Sequence, residues 1–121
     1  MAYISTEKVK TIRERLKEAF PRKDGWKFSV TRRNAMAVCV VILEGPIEFK
    51  DAEGNDLSYS QVNKYHIDRF NAKESAEVLK KILDIMTIDY YDNSDIMTDY
   101  FDVAYYRDLM VGRWDRPYKK V

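Results

Sequence analysis

The stretch "WKFSVTRRNAMAVCVVILEG", residues 26–45, decides the fold. In its first half Trp26, Phe28 and Val30 alternate with Lys27, Ser29 and Thr31, the two-residue period of a half-buried strand. In its second half "MAVCVVIL" is a run of eight apolar residues, closed by Gly45-Pro46. That length and its β-branched content predict a central strand covered on both faces. Arg33-Asn34-Ala35 makes the turn between them, so the two halves read as a hairpin even without an Asn-Gly pair.

Upstream, Val9, Ile12, Leu16 and Phe20 recur at helical spacing, with Lys8, Lys10, Arg13, Arg15 and Lys17 between them. Ser5 is the N-cap, Glu7 suits the first turn, and Ile4 with Val9 sets a hydrophobic staple. Pro21 and Gly25 close this helix. Downstream, Ala72, Ala76, Leu79, Leu83 and Met86 form the stripe of a second helix, widened by Val78, Ile82 and Ile85. Asn71 and Glu74 stand at capping-box spacing before it. Between Pro46 and that helix the pattern predicts a short strand, a turn at Gly54-Asn55 and a strand from Ser58 to Ile67. The stretch "DVAYYRDLMVGRW" predicts a last strand inside the sheet, apolar on both faces and ended by Pro117. The sum is an α+β single domain over residues 1–121: two helices packed on one face of a largely antiparallel sheet of about four strands.

Composition narrows the function. The chain has 121 residues, 45% hydrophobic and 34% charged, which suits one globular domain. Its 21 basic and 20 acidic residues lack the footprint of a strongly basic nucleic-acid binder. The signs are segregated, however. Glu7 to Arg33 holds ten Lys/Arg against four Asp/Glu, whereas residues 89–102, "DYYDNSDIMTDYFD", hold five aspartates and no Lys or Arg. A single cysteine, Cys39, excludes an internal disulfide, and neither an apolar leader nor a membrane-length apolar run is present. The expectation is a soluble, cytoplasmic protein without membrane contact; oligomeric state leaves no mark in the sequence.

Candidate chemistry is sparse. Cys39 with the lone histidine, His66, would make a nucleophile–base pair, but Cys39 lies in the most apolar run of the chain, where a thiolate is disfavoured. The aspartates lack the alternation and central glycine of a calcium loop; Asp95, Asp99 and Asp102 share a face only if helical. The four glycines are scattered, and no phosphate loop or nucleophile elbow is formed. No catalytic residue, metal or cofactor is therefore expected. Two binding surfaces are. Tyr90, Asp92, Asp95, Asp99, Tyr100 and Asp102 make an acidic-aromatic face suited to a partner protein with a basic surface. Alternatively, Lys10, Arg13, Lys17, Arg32 and Arg33 face phosphates, with Trp26, Tyr59 and Tyr65 as stacking surfaces for nucleic acid. In the plainer account the charges solvate a helix face, the aromatics fill the core, and the aspartates cap turns.

Two groups of motifs resemble one family. "IRERLKEAFPRKDGWKFSV" with "LEGP", and "VNKYHI" with "YYDNSDIMTDYFDVAYY" and "VGRWDRPY", are similar to the twenty-ninth of the large polyvalent protein-associated domains. The resemblance implies a module of phages, prophages and conjugative elements, acting in conflict with host defences inside a bacterial cell, for example by inhibiting a defence nuclease. It brings no catalytic residues with it. The chain departs from shorter members between Glu48 and Leu57, where something private to this protein has room.

Overall fold

In chain order the elements are α1 (Thr6–Ala19), a 3-10 turn (Arg22–Asp24), β1 (Lys27–Arg33), β2 (Ala37–Gly45), β3 (Ser60–Gln61), α2 (Ile67–Phe70), α3 (Lys73–Ile85), β4 (Tyr106–Val111) and β5 (Lys119–Lys120). The computed structural model describes residues 3–57, 59–63, 66–87 and 104–121.

The strand that the sequence marks most strongly is central. β2 is buried from Ala37 to Leu43, with β1 antiparallel on one side and β4 parallel on the other. Val40 sits between Val30 and Leu109 in this register. β3 lies antiparallel on the outer edge of β4, giving the order β1-β2-β4-β3, and β5 takes up the end of β2 at Glu44 and Gly45. A parallel neighbour needs a crossover connection, and the chain between β2 and β4, which includes α3, supplies it. The architecture is α+β with a mostly antiparallel open sheet. In the β1–β2 turn both Asn34 and Ala35 are left-handed, at φ 51° and 59°, which matches the twist of a tight hairpin. Ala35 takes the place a glycine would fill, and its carbonyl accepts the Ile4 N–H.

Both long helices contribute to one core. Val9, Ile12 and Leu16 from α1 and Ala76, Leu79 and Ile82 from α3 bury against Val38, Val40 and Ile42. The other side of β2 holds a smaller buried row, Cys39, Val41 and Leu43, with Met110 against it. α1 begins as its sequence predicts, the Lys8 N–H donating to the Ser5 hydroxyl at 3.1 Å.

Four local expectations are corrected. α3 starts one residue later than a capping box at Asn71 requires; its N-cap is Ala72. Asn71 is buried, and its amide donates to the Ile67 carbonyl, closing α2. Among the described residues of the strand expected over 58–67, only Ser60–Gln61 are strand, and Ile67 is instead the buried first residue of α2. The short strand expected after Pro46 is reduced to isolated bridges, Lys50 with Asp56 and Asp51 with Asn71. The strand expected over 102–114 is β4 and stops at Val111, where Gly112 turns at φ 72°, well before Pro117. Among the described residues no helix is long and apolar enough to cross a membrane.

Candidate binding groove

Pro21 and Gly25 do more than end α1. They return the chain so tightly that one face of α1 lies beside one face of β1. On the helix, Arg13, Leu16, Lys17 and Phe20 fall at steps of three and four and share that face. On the strand side, Trp26, Phe28 and Val30 alternate toward it. Between them runs a groove of about 420 Å³, lined by these seven residues together with Arg22 and Lys27.

Its floor is carbon. Trp26 stacks parallel on Phe28 (5.8 Å between ring centres, 3° between planes), and Phe20 meets Trp26 edge-on at 4.9 Å. Lys81 of α3 covers Phe20 from another side, 5.3 Å from the ring centre. Trp26 is itself wedged in place, because Gly45 leaves room for its ring; a Cβ there would stand 2.8 Å from a Trp26 carbon.

Its rim is cationic: Arg13 and Lys17 from the helix, Arg22 from the 3-10 turn, Lys27 from the strand. Among the described residues no acidic side chain lines it. Lys17 and Arg22 have no ion-pair partner among the described residues, and Lys27 approaches Glu44 only at 4.0 Å. Arg13 is held in position by donating to the Val30 carbonyl at 2.8 Å. Four like charges over an apolar floor raise the local concentration of anions.

The residues expected to contact phosphates divide among three places. Arg13 and Lys17 line the groove, and Lys10 is exposed one turn earlier on α1. Arg32 instead ties down the N-terminal segment, its Nε donating to the Ile4 carbonyl at 2.6 Å and its guanidinium lying over Tyr3. Arg33 points to the opposite side of the sheet and pairs with Asp108 at 3.1 Å. Of the expected stacking rings, Trp26 is buried in the groove wall, Tyr59 is exposed elsewhere, and Tyr65 lies outside the described residues. Tyr90, Asp92, Asp95, Asp99, Tyr100 and Asp102 also lie outside them. Arg22, Lys27, Phe20 and Phe28 are what sequence reasoning missed; the tight Pro21–Gly25 connection between a basic helix and an alternating strand was the available signal.

The remaining candidates lie apart from the groove and from one another. Burial pushes the Cys39 thiol up, and the ionisable groups around it are Arg33, Asp108 and Arg113, with a hydrogen bond from Thr31; His66 is not among them. His66 is exposed before α2, edge-on to Phe70. Within Glu48–Leu57, Phe49 is buried against Tyr118, ring centres 4.9 Å apart. Asp51 caps the turn there, accepting the Glu53 and Asn55 N–H groups at 2.9 Å, and these bonds hold its carboxyl below the usual range.

A family model described as large polyvalent protein associated domain 29 matches residues 3–107. No curated protein and no solved structure gives a match.

Proposed function

The chain belongs to the large polyvalent protein associated domain 29 family, a phage and mobile-element associated family, and on that premise we propose that it is a non-catalytic module that binds an anionic partner in the groove between α1 and β1. One observation carries this reading. Four cations from three elements converge on an apolar floor with no acid in the lining among the described residues, and two of them, Lys17 and Arg22, have no ion-pair partner there. Like charges so placed repel one another, and an anionic partner would relieve that repulsion.

The test is paired capture from bacterial lysate on the immobilised wild-type chain and on Lys17→Glu/Arg22→Glu. Both positions are exposed, so stability should move by no more than ~0.5 kcal/mol. A component held by the wild type, released by salt and absent from the variant supports the reading. Identical captures from both proteins contradict it.

A second reading comes from the sequence alone. The five aspartates of residues 89–102 suit a host protein with a basic surface, a defence nuclease being one example, and binding there would be inhibitory. Asp92→Asn/Asp95→Asn/Asp99→Asn should then slow association while the melt stays in place. A large loss of stability with unchanged binding kinetics would favour the aspartates as turn caps instead.

A further inference from the structure

Resting on that first reading, we infer that the groove receives an acidic peptide segment of a partner protein, with one apolar side chain inserted between flanking carboxylates, rather than a nucleic-acid strand. The lining decides between them. It offers five apolar side chains, of which only Trp26 carries a polar atom (an indole N–H donor), and four cations, with no Ser, Thr, Asn or Gln among the described residues. A nucleobase carries donors as well as acceptors on its edge. Cations cannot accept, and the Val30 carbonyl at the groove already accepts from Arg13. A base edge turned toward these side chains meets donors and no side-chain acceptor for its own N–H groups.

The rings also argue against it. Strand binders hold bases on open aromatic faces. Here Trp26 and Phe28 are stacked on each other, Phe20 closes edge-on against Trp26, and Lys81 lies over Phe20. An aliphatic or aromatic peptide side chain makes no such demand. It fills the apolar floor and leaves no polar atom stranded, as anchor residues do at interface centres.

The rim fits the same occupant. Arg13 and Lys17 stand on the helix side, Lys27 on the strand side and Arg22 at the connection. Carboxylates on both flanks of the anchor therefore meet cations, and the two arginines have the fork geometry that suits them.

The experiment measures fluorescence anisotropy of labelled probes with the full chain. The first probe is the peptide Asp-Glu-Leu-Phe-Asp-Glu; the second replaces its Leu-Phe by Ala-Ala; the third is a short oligothymidylate. The inference expects the first to bind, the second to bind roughly tenfold or more weakly, and binding of the first to fall by a similar factor in Lys17→Glu/Arg22→Glu with its melt intact. Arg22→Glu alone should give an intermediate loss. Tighter binding of the oligothymidylate, lost in the same variant, overturns the peptide inference and leaves the anionic-partner reading standing. Equal affinity for the two peptides overturns it as well, because the floor would then be idle. Failure of all three probes overturns both readings. Residues 89–102 have the chemistry of the first probe, so the chain alone is measured by light scattering. Concentration-dependent self-association abolished by Lys17→Glu/Arg22→Glu would overturn the separate partner in favour of a second copy.

Discussion

Replacing Gly45 by Ala tests the packing that builds the groove wall. Gly45 is buried, and an added Cβ would stand 2.7 Å from the Tyr118 Oη and 2.8 and 2.9 Å from two Trp26 ring carbons. Real Cβ atoms do not approach so closely, so something must move. Trp26 has little freedom, stacked on Phe28 and flanked by Phe20 and Phe49. Tyr118 is tethered by donating to the Ile47 carbonyl. Overpacking of this kind costs ~1–3 kcal/mol, and displacing the Tyr118 bond adds ~0.5–1.5 kcal/mol. Stiffening the unfolded chain returns about 0.4–1 kcal/mol. The net loss is about 1–3.5 kcal/mol, which for a chain of this length lowers Tm by roughly 4–14 °C. The assay is a thermal melt followed by circular dichroism, with the near-UV bands reporting on Trp26. Gly54→Ala is the control: φ there is 86° with nothing within 4 Å of an added Cβ, so only backbone strain of ~1–2 kcal/mol enters and the near-UV bands stay. A Gly45→Ala protein that melts within about 1 °C of wild type, with unchanged near-UV bands, would refute the close packing of Trp26 and Tyr118 on this glycine.

Three further outcomes are expected. Val40→Asp puts a carboxylate without a partner between Val30 and Leu109 and forfeits ~1.5–3 kcal/mol of burial besides; urea unfolding should show no folded baseline, and a cooperative transition near wild type would contradict β2 as the central strand. Burial pushes the Tyr118 hydroxyl up to about 12 from 10, so its neutral form is favoured in the fold. Its contribution is complete below pH ~10 and decays as pH rises toward 12; Tyr118→Phe should lose that alkaline segment of the stability–pH curve, and an unchanged segment would count against the assignment. Cys39, buried with its thiol raised, should react with iodoacetamide at pH 8 far more slowly than in the urea-unfolded chain; equal rates would place it at the surface.

Much of the fold was legible because local and long-range preferences agree. Ser5, the stripe from Val9 to Phe20 and the run from Met36 to Leu43 each predict an element that forms. Strand direction was not legible. An apolar run reads the same beside a parallel or an antiparallel neighbour, so the β2–β4 pairing had no local mark. Asn71 shows another limit: its side chain had two partners within reach, and burial gave it to Ile67 rather than to the start of α3. The site was half legible. Arg32 and Arg33 are adjacent in a strand, and the two-residue period sends them to opposite faces. Arg13 and Lys17 were identified by helical spacing, whereas Arg22 and Lys27 join them only through the path of the chain around Gly25, which takes φ 101°.

The central claim is that the α1–β1 groove is the binding surface. Its most direct test is a titration of the isotope-labelled chain with the peptide Asp-Glu-Leu-Phe-Asp-Glu, followed by amide chemical shifts. The account predicts shifts concentrated at Arg13, Leu16, Lys17, Phe20, Arg22, Trp26, Lys27 and Phe28, together with the Trp26 indole N–H, that weaken as salt is added. Shifts centred elsewhere, on Trp114 or Tyr106 for example, or none at saturating peptide, would contradict it.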